Sequence, residues 1–215
     1  MSQVIFIQTV NDMNRLIICI GRQTGAGGRR VAARLSELLS IPVYDHELVT
    51  EAARESGFSA SLFRKSDEKR HFSMIGSLFG SNRYGHFNSN AISEGELFKL
   101  QSEAIRRLAD GGSCIFVGRA ADYVLRDRDD LVSLFLTADL PDRIAAIAGR
   151  EQIGEKEAEA FIRKNDKMRR DWYEFYTFGR WGDAAQYDLC LNTSRLGIDA
   201  AADLVVTYAR MRGLL

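Results

Sequence analysis

A short apolar run, RLIICI over Arg15 to Ile20, passes straight into Gly21-Arg22-Gln23-Thr24-Gly25-Ala26-Gly27-Gly28-Arg29-Arg30. An amphipathic pattern follows at once, with Val31, Leu35, Leu38 and Leu39 on one helical face of the segment 29–39. Unbroken β-branched hydrophobicity is the mark of a strand buried on both faces. Glycines let the chain turn tightly and bring backbone N–H groups close to an anion, and a helix N-terminus adds partial positive charge. Strand, glycine loop and helix in this order predict a parallel sheet with a phosphate site at the end of its first strand. The plainer alternative is a tight strand–helix turn whose glycines serve packing.

The rest of the chain repeats the alternation. Ile41 to Tyr44 reads as a second short strand and Glu47 to Glu55 as a helix. Helix returns from Glu94 to Ala109, followed by strands at Cys114–Val117 (CIFV) and Leu131–Leu136 (LVSLFL). Pro141 to Arg150 and Lys156 to Tyr176 are basic helices, Leu189 to Leu191 is a last strand and Ile198 to Met211 a final helix. The expectation is a single α/β domain over residues 1–215, with a doubly wound parallel sheet in a three-layer α/β/α arrangement. Two regions depart from it. The segment near 60–92, with GSLFGSNRYGHFNSN, reads as a loop or small mobile insertion, and the helices near 150–180 as strongly basic.

Composition narrows the function classes. Lysine plus arginine and aspartate plus glutamate both number 29, so no bulk charge favours nucleic acid or a membrane surface. No run spans a bilayer, and MSQVIFIQTVNDMN lacks the pattern of a secretory signal, so a cytoplasmic protein is expected. Cys19, Cys114 and Cys190 lie in apolar runs without metal-ligand spacing and read as reduced core thiols. The sequence leaves the oligomeric state open; a homodimer is compatible with it.

The loop is not a standard P-loop, which places a lysine and then Ser or Thr after its last glycine. Here Gly28 stands at the lysine position, and Arg29 and Arg30 follow. Arg22, Arg29 and Arg30 are the candidates to replace the missing charge. Elsewhere, Arg163, Asp166 and Arg170 are spaced to present two guanidiniums braced by one carboxylate, with Arg169 beside them, although charge runs on helices are commonly solvated faces. Asp45 ends the second strand, facing the expected cleft or capping the following helix. Arg119 follows the CIFVG strand, where an arginine can make a bidentate phosphate contact.

The stretches CIGRQTGAGGRRVAARLSELLSIPVYDHELV, CIFVGRAADYVL, LFLTADLPDRIAAI and DKMRRDWYEFYTFGRWGDAAQYDLCLNTSRLGIDAA together resemble the cytidylate-kinase-like branch of the P-loop nucleoside monophosphate kinases. The resemblance implies a phosphotransferase that moves the γ-phosphate of ATP, with Mg2+, to a nucleoside monophosphate, CMP being the first acceptor to try. It implies that Gly21, Arg22, Gly25, Ala26, Gly27, Gly28, Arg29 and Arg30 cradle the donor. It further implies that Arg119 grips the acceptor phosphate, that Asp45 lies near the acceptor and that Asp188 falls near the position that meets the base. By the same resemblance the segment near 60–92 binds the acceptor, and Arg163, Asp166, Arg169 and Arg170 belong to a lid formed by the helices near 150–180. Cytidylate kinases proper keep the P-loop lysine. Two rivals follow from its absence here: a kinase of another small acceptor, and a non-catalytic nucleotide sensor.

Overall fold

The computed structural model describes residues 15–55 and 94–215. Strands β1 (Ile17–Arg22), β2 (Val43–Tyr44), β3 (Cys114–Val117), β4 (Leu131–Thr137) and β5 (Leu189–Asn192) form one sheet in the order β2-β3-β1-β4-β5. Every neighbouring pair is parallel. The helices are α1 (Gly28–Leu39), α2 (His46–Glu55), α3 (Glu94–Asp110), α4 (Ala121–Val124), α5 (Leu140–Glu151), α6 (Glu155–Thr177) and α7 (Thr193–Met211). This is the α/β architecture expected from the sequence. The expected insertion near 60–92 lies outside the described residues.

The central position of β1 explains its continuous hydrophobicity. Ile18 and Ile20, with Leu16 just ahead of the strand, pack in one layer with Val31 and Leu35 of α1 and Val205 and Ala209 of α7. Ile17 and Cys19 face the other layer, with Ile105 and Ala109 of α3 and Ala121 of α4. Strand alternation thus sends successive side chains of β1 into two separate cores. A smaller cluster of Ile147, Ala158 and Ile162 joins α5 to α6 beyond the sheet.

Asn192 caps a short turn over residues 193–196, its side chain accepting from the Ser194 N–H at 2.9 Å. Gly197, at φ 75° and ψ 176°, is non-helical and separates that turn from the long helix that starts at Ile198, as the sequence predicts. One reading of the sequence changes. Cys190 is an exposed thiol, unlike the buried Cys19 and Cys114. It sits on the edge strand β5, where Leu189 and Leu191 turn toward the core and the residue between them turns away.

Asp188 precedes β5 and is taken up by the sheet. Its Oδ2 accepts from the Ser133 N–H at 2.7 Å and the Ser133 hydroxyl at 2.9 Å, and its Oδ1 from the Tyr208 hydroxyl at 3.0 Å. Arg212 lies 3.6 Å away. The carboxylate therefore ties β4, β5 and α7 together at the start of β5, away from the C-terminal strand ends where the cleft lies, and the expected contact with a base has no geometric support. Replacing Asp188 by Ala orphans the Ser133 N–H and should cost about 2 kcal/mol of stability in urea denaturation.

Candidate active site

The C-terminal ends of β1 and β3 open beside the glycine loop. Gly25 at φ 86° and Gly27 at φ 75° supply the left-handed conformations of the turn. Both are also fixed by contact. A Cβ on Gly25 would lie 2.9 Å from the carbonyl oxygen of Arg143, and one on Gly27 would lie 2.6 Å from Ile198. The loop is thus held between α5 and α7 with no room for side chains. Its Gln23 N–H donates to Leu136 O at 3.0 Å, and the Thr193 hydroxyl donates to Ala26 O at 3.2 Å.

Thr24 carries the main anchor. Its N–H donates to Asp166 Oδ1 at 2.7 Å, and its carbonyl accepts from Arg143 Nε at 2.7 Å. Arg143 Nη2 closes the ring on Asp166 Oδ2, and Arg169 Nη1 reaches the Thr24 hydroxyl at 3.0 Å. Thr24, Arg143 and Asp166 are all buried. Among the described residues, the N–H groups of Gly25, Gly27, Gly28 and Arg29 meet no acceptor. Gly27 offers no side-chain cap, and the first turn of α1 holds no acidic residue. These donors, the helix N-terminus and exposed Arg29 and Arg30 fit the phosphates of a nucleotide.

Beside the loop lies a cleft lined by Arg22, Arg119, Arg169, Trp172, Trp181 and Tyr187, among others. Burial lowers the pKa of all three arginines; Arg169 lowers Arg22 and Arg119 further, while Asp166 works against the burial of Arg169. Arg119 is brought down to about 10 by desolvation and then by Arg169. Its guanidinium lies 4.8 Å over the Trp172 ring. Behind it the Tyr173 hydroxyl donates to Asp122 at 2.6 Å, while burial raises the Asp122 pKa against that hydrogen bond. Asp45 caps α2, accepting from the Glu47 and Leu48 N–H groups at 3.0 and 3.3 Å, and sits 3.5 Å from Arg29. No cluster of His, Cys, Asp and Glu that could hold a metal occurs among the described residues.

The structure regroups the residues expected in the lid. Asp166 braces Arg143 and the glycine loop, not Arg163 and Arg170. Arg163 is exposed and pairs with Glu159 one turn back at 2.6 Å. Arg170 is exposed, its guanidinium 5.9 Å from the Trp181 ring. Arg169, the partner of Thr24, faces the cleft. Arg143, a basic residue of the preceding helix, takes the place expected of Arg163 and Arg170 beside Asp166, and the sequence carried a signal for it. It stands one turn before Ile147, as Asp166 stands one turn after Ile162, so each is a charge on its helix's apolar stripe.

The matched family model is that of the cytidylate kinase-like family, over residues 17–195. The chain belongs to this family. A cytidylate kinase of Methanothrix thermoacetophila is 29% identical over 201 residues, covering 93% of this chain and 99% of that protein. An uncharacterised protein from Eubacterium ventriosum shares the fold at a TM-score of 0.71 and 28% identity, over 91% of this chain and 99% of that one. A shikimate kinase from Bacteroides thetaiotaomicron matches at a TM-score of 0.52 and 13% identity, over 91% and 98%, a likeness of fold alone. No helix among the described residues is long and apolar enough to cross a membrane.

Two measurements test this geometry. Asp166→Ala leaves Arg143 buried without its anion and should lose about 3 kcal/mol of stability, whereas Arg163→Ala should change it by less than about 0.5 kcal/mol. His46 is held down to about 4, first by burial and then by Arg119. Its folded pKa lies below its ordinary 6.5, so the unfolded chain binds the proton first as pH falls. Stability should decline between about pH 6.5 and pH 4, and His46→Gln should flatten that slope in pH-dependent thermal melts.

Proposed function

We propose that the protein transfers the γ-phosphate of Mg·ATP to a nucleoside monophosphate, with CMP as the first acceptor. The observation that carries this reading is the gathering of Arg22, Arg119 and Arg169 in one cleft beside four unengaged loop N–H groups. Cations driven together and desolvated raise one another's energy, and an anion placed among them relieves it. Two anionic groups brought together in transfer, donor and acceptor phosphates, match such a cleft. The family's curated relatives, named cytidylate kinase, support the same chemistry.

In this reading the loop N–H groups from Gly25 to Arg29 hold the donor phosphates and Arg119 holds the acceptor phosphate. Arg169, anchored to the loop through Thr24, lies over the transferring group. An oxygen of the acceptor phosphate forms a bond to the γ-phosphorus as the bond to the β,γ-bridging oxygen breaks, and ADP leaves with that electron pair. An acceptor phosphate that is already a dianion needs no general base. Mg2+ neutralises donor charge when bound. Trp172 and Trp181 line the cleft and exclude water from the phosphates. Asp45, near Arg29, orients the approach from the α2 side.

ATP consumption across a panel of nucleoside monophosphates tests the proposal. Turnover with CMP is expected, and Arg119→Ala should lower kcat/KM for the acceptor about a hundredfold. ATP binding without turnover on any acceptor would overturn the kinase reading and favour a nucleotide sensor.

A further inference from the structure

The pattern G-x-x-x-x-G-K, set on this loop with Gly27 as its second glycine, places its first glycine at position 22 and its lysine at position 28. This chain has Arg22 and Gly28, so the small residue and the cation have changed places. The structure shows that the exchange is also spatial. A Cβ built on Gly28 would lie 2.8 Å from Arg22 Cγ, 3.2 Å from its Cβ and 3.4 Å from its Cδ. The arginine stem therefore runs along the face of Gly28 from which a lysine side chain would start. Gly28 has no positive φ, so its backbone does not demand glycine; the stem of Arg22 does.

The far end of Arg22 is fixed in the same manner. A Cβ on Gly118 would lie 2.0 Å from Arg22 Nη1, so the guanidinium occupies the side-chain space of the residue that ends β3. Gly28 and Gly118 together make a slot for a single side chain, from the start of α1 to the mouth of the cleft. Arg22 is held there with Arg119 and Arg169, in the space between the loop and the acceptor arginine.

We infer that Arg22 replaces the P-loop lysine: its guanidinium reaches the outer phosphates of the bound donor across Gly28. This deepens the proposed function and rests on it. A guanidinium is a planar fork and not a point charge, so it grips two phosphate oxygens at once and requires the wider slot that the two glycines provide. The lowered pKa of Arg22 agrees with a cation kept near other cations until an anion arrives.

Calorimetric titration with the non-hydrolysable analogue Mg·AMPPNP, and with AMP as the short control, tests the inference. Arg22→Met keeps the stem and removes the charge. It should weaken AMPPNP about tenfold or more while leaving AMP within about twofold, because AMP lacks the outer phosphates. Gly28→Ala should also weaken AMPPNP by pushing the stem aside, with AMP again within about twofold and some loss in thermal melting, since its Cβ meets the near end of the stem. The double variant Arg22→Gly, Gly28→Lys restores the ordinary pattern and should recover AMPPNP binding. Unchanged AMPPNP affinity in Arg22→Met would overturn the inference while leaving nucleotide binding intact. Should that variant fail to fold, unchanged affinity in Gly28→Ala would overturn it as well. Failure of the parent protein to bind AMPPNP would instead overturn the functional reading, and this inference with it.

Discussion

The buried ring of Arg143, Asp166 and Thr24 fixes the position of everything at the cleft. A buried ion pair adds little net stability, because desolvating two charges consumes most of the Coulomb gain. Here it gives direction. Asp166 takes the Thr24 N–H and Arg143 takes the Thr24 carbonyl, so this segment of the loop cannot rotate without breaking both. Among the N–H groups that follow, Ala26 donates back to Gln23 O, and those of Gly25, Gly27, Gly28 and Arg29 are left without an acceptor among the described residues. Packing enforces the same result, since the Arg143 backbone lies against Gly25 and Ile198 against Gly27. Helices α5 and α6, joined by their own small core, hold the loop from outside while β1 holds it from below.

A second constraint follows from the first. With the loop fixed, the cations around it cannot disperse. The chain is neutral as a whole, yet Arg22, Arg119 and Arg169 stand together at the C-terminal ends of the central strands. Such clustering opposes folding and is found where a site trades stability for function. Part of the cost is offset by stacking, with Arg119 over Trp172, and part by nearby carboxylates, Asp45 for Arg22 and Asp166 for Arg169. In the proposed function an anionic ligand supplies the remainder, which would link binding to local stability.

Much of this was legible in the sequence. Strands and helices of the described core match the expected ones closely, since a parallel sheet buried on both faces writes itself as unbroken apolar runs. The glycine loop, Arg119 and the cap by Asp45 were legible because each lies next to a strand end. What the chain order hid were contacts between distant segments. The Arg143–Asp166 pair joins two helices, and spacing along one helix suggested Arg163 and Arg170 as partners instead. The family resemblance put Asp188 near the base, yet it lies at the beginning of its strand, not its end. The meaning of Gly28 was beyond sequence altogether, because only the path of the Arg22 stem shows why a side chain is excluded there.

The most direct test of this account is a crystal structure with Mg·AMPPNP and CMP bound together. The account predicts the donor phosphates on the N–H groups of Gly25 to Arg29, the Arg22 guanidinium on the outer phosphates, and the CMP phosphate on Arg119. Donor phosphates bound away from the loop, or a cleft in which neither Arg22 nor Arg119 meets a phosphate, would contradict it.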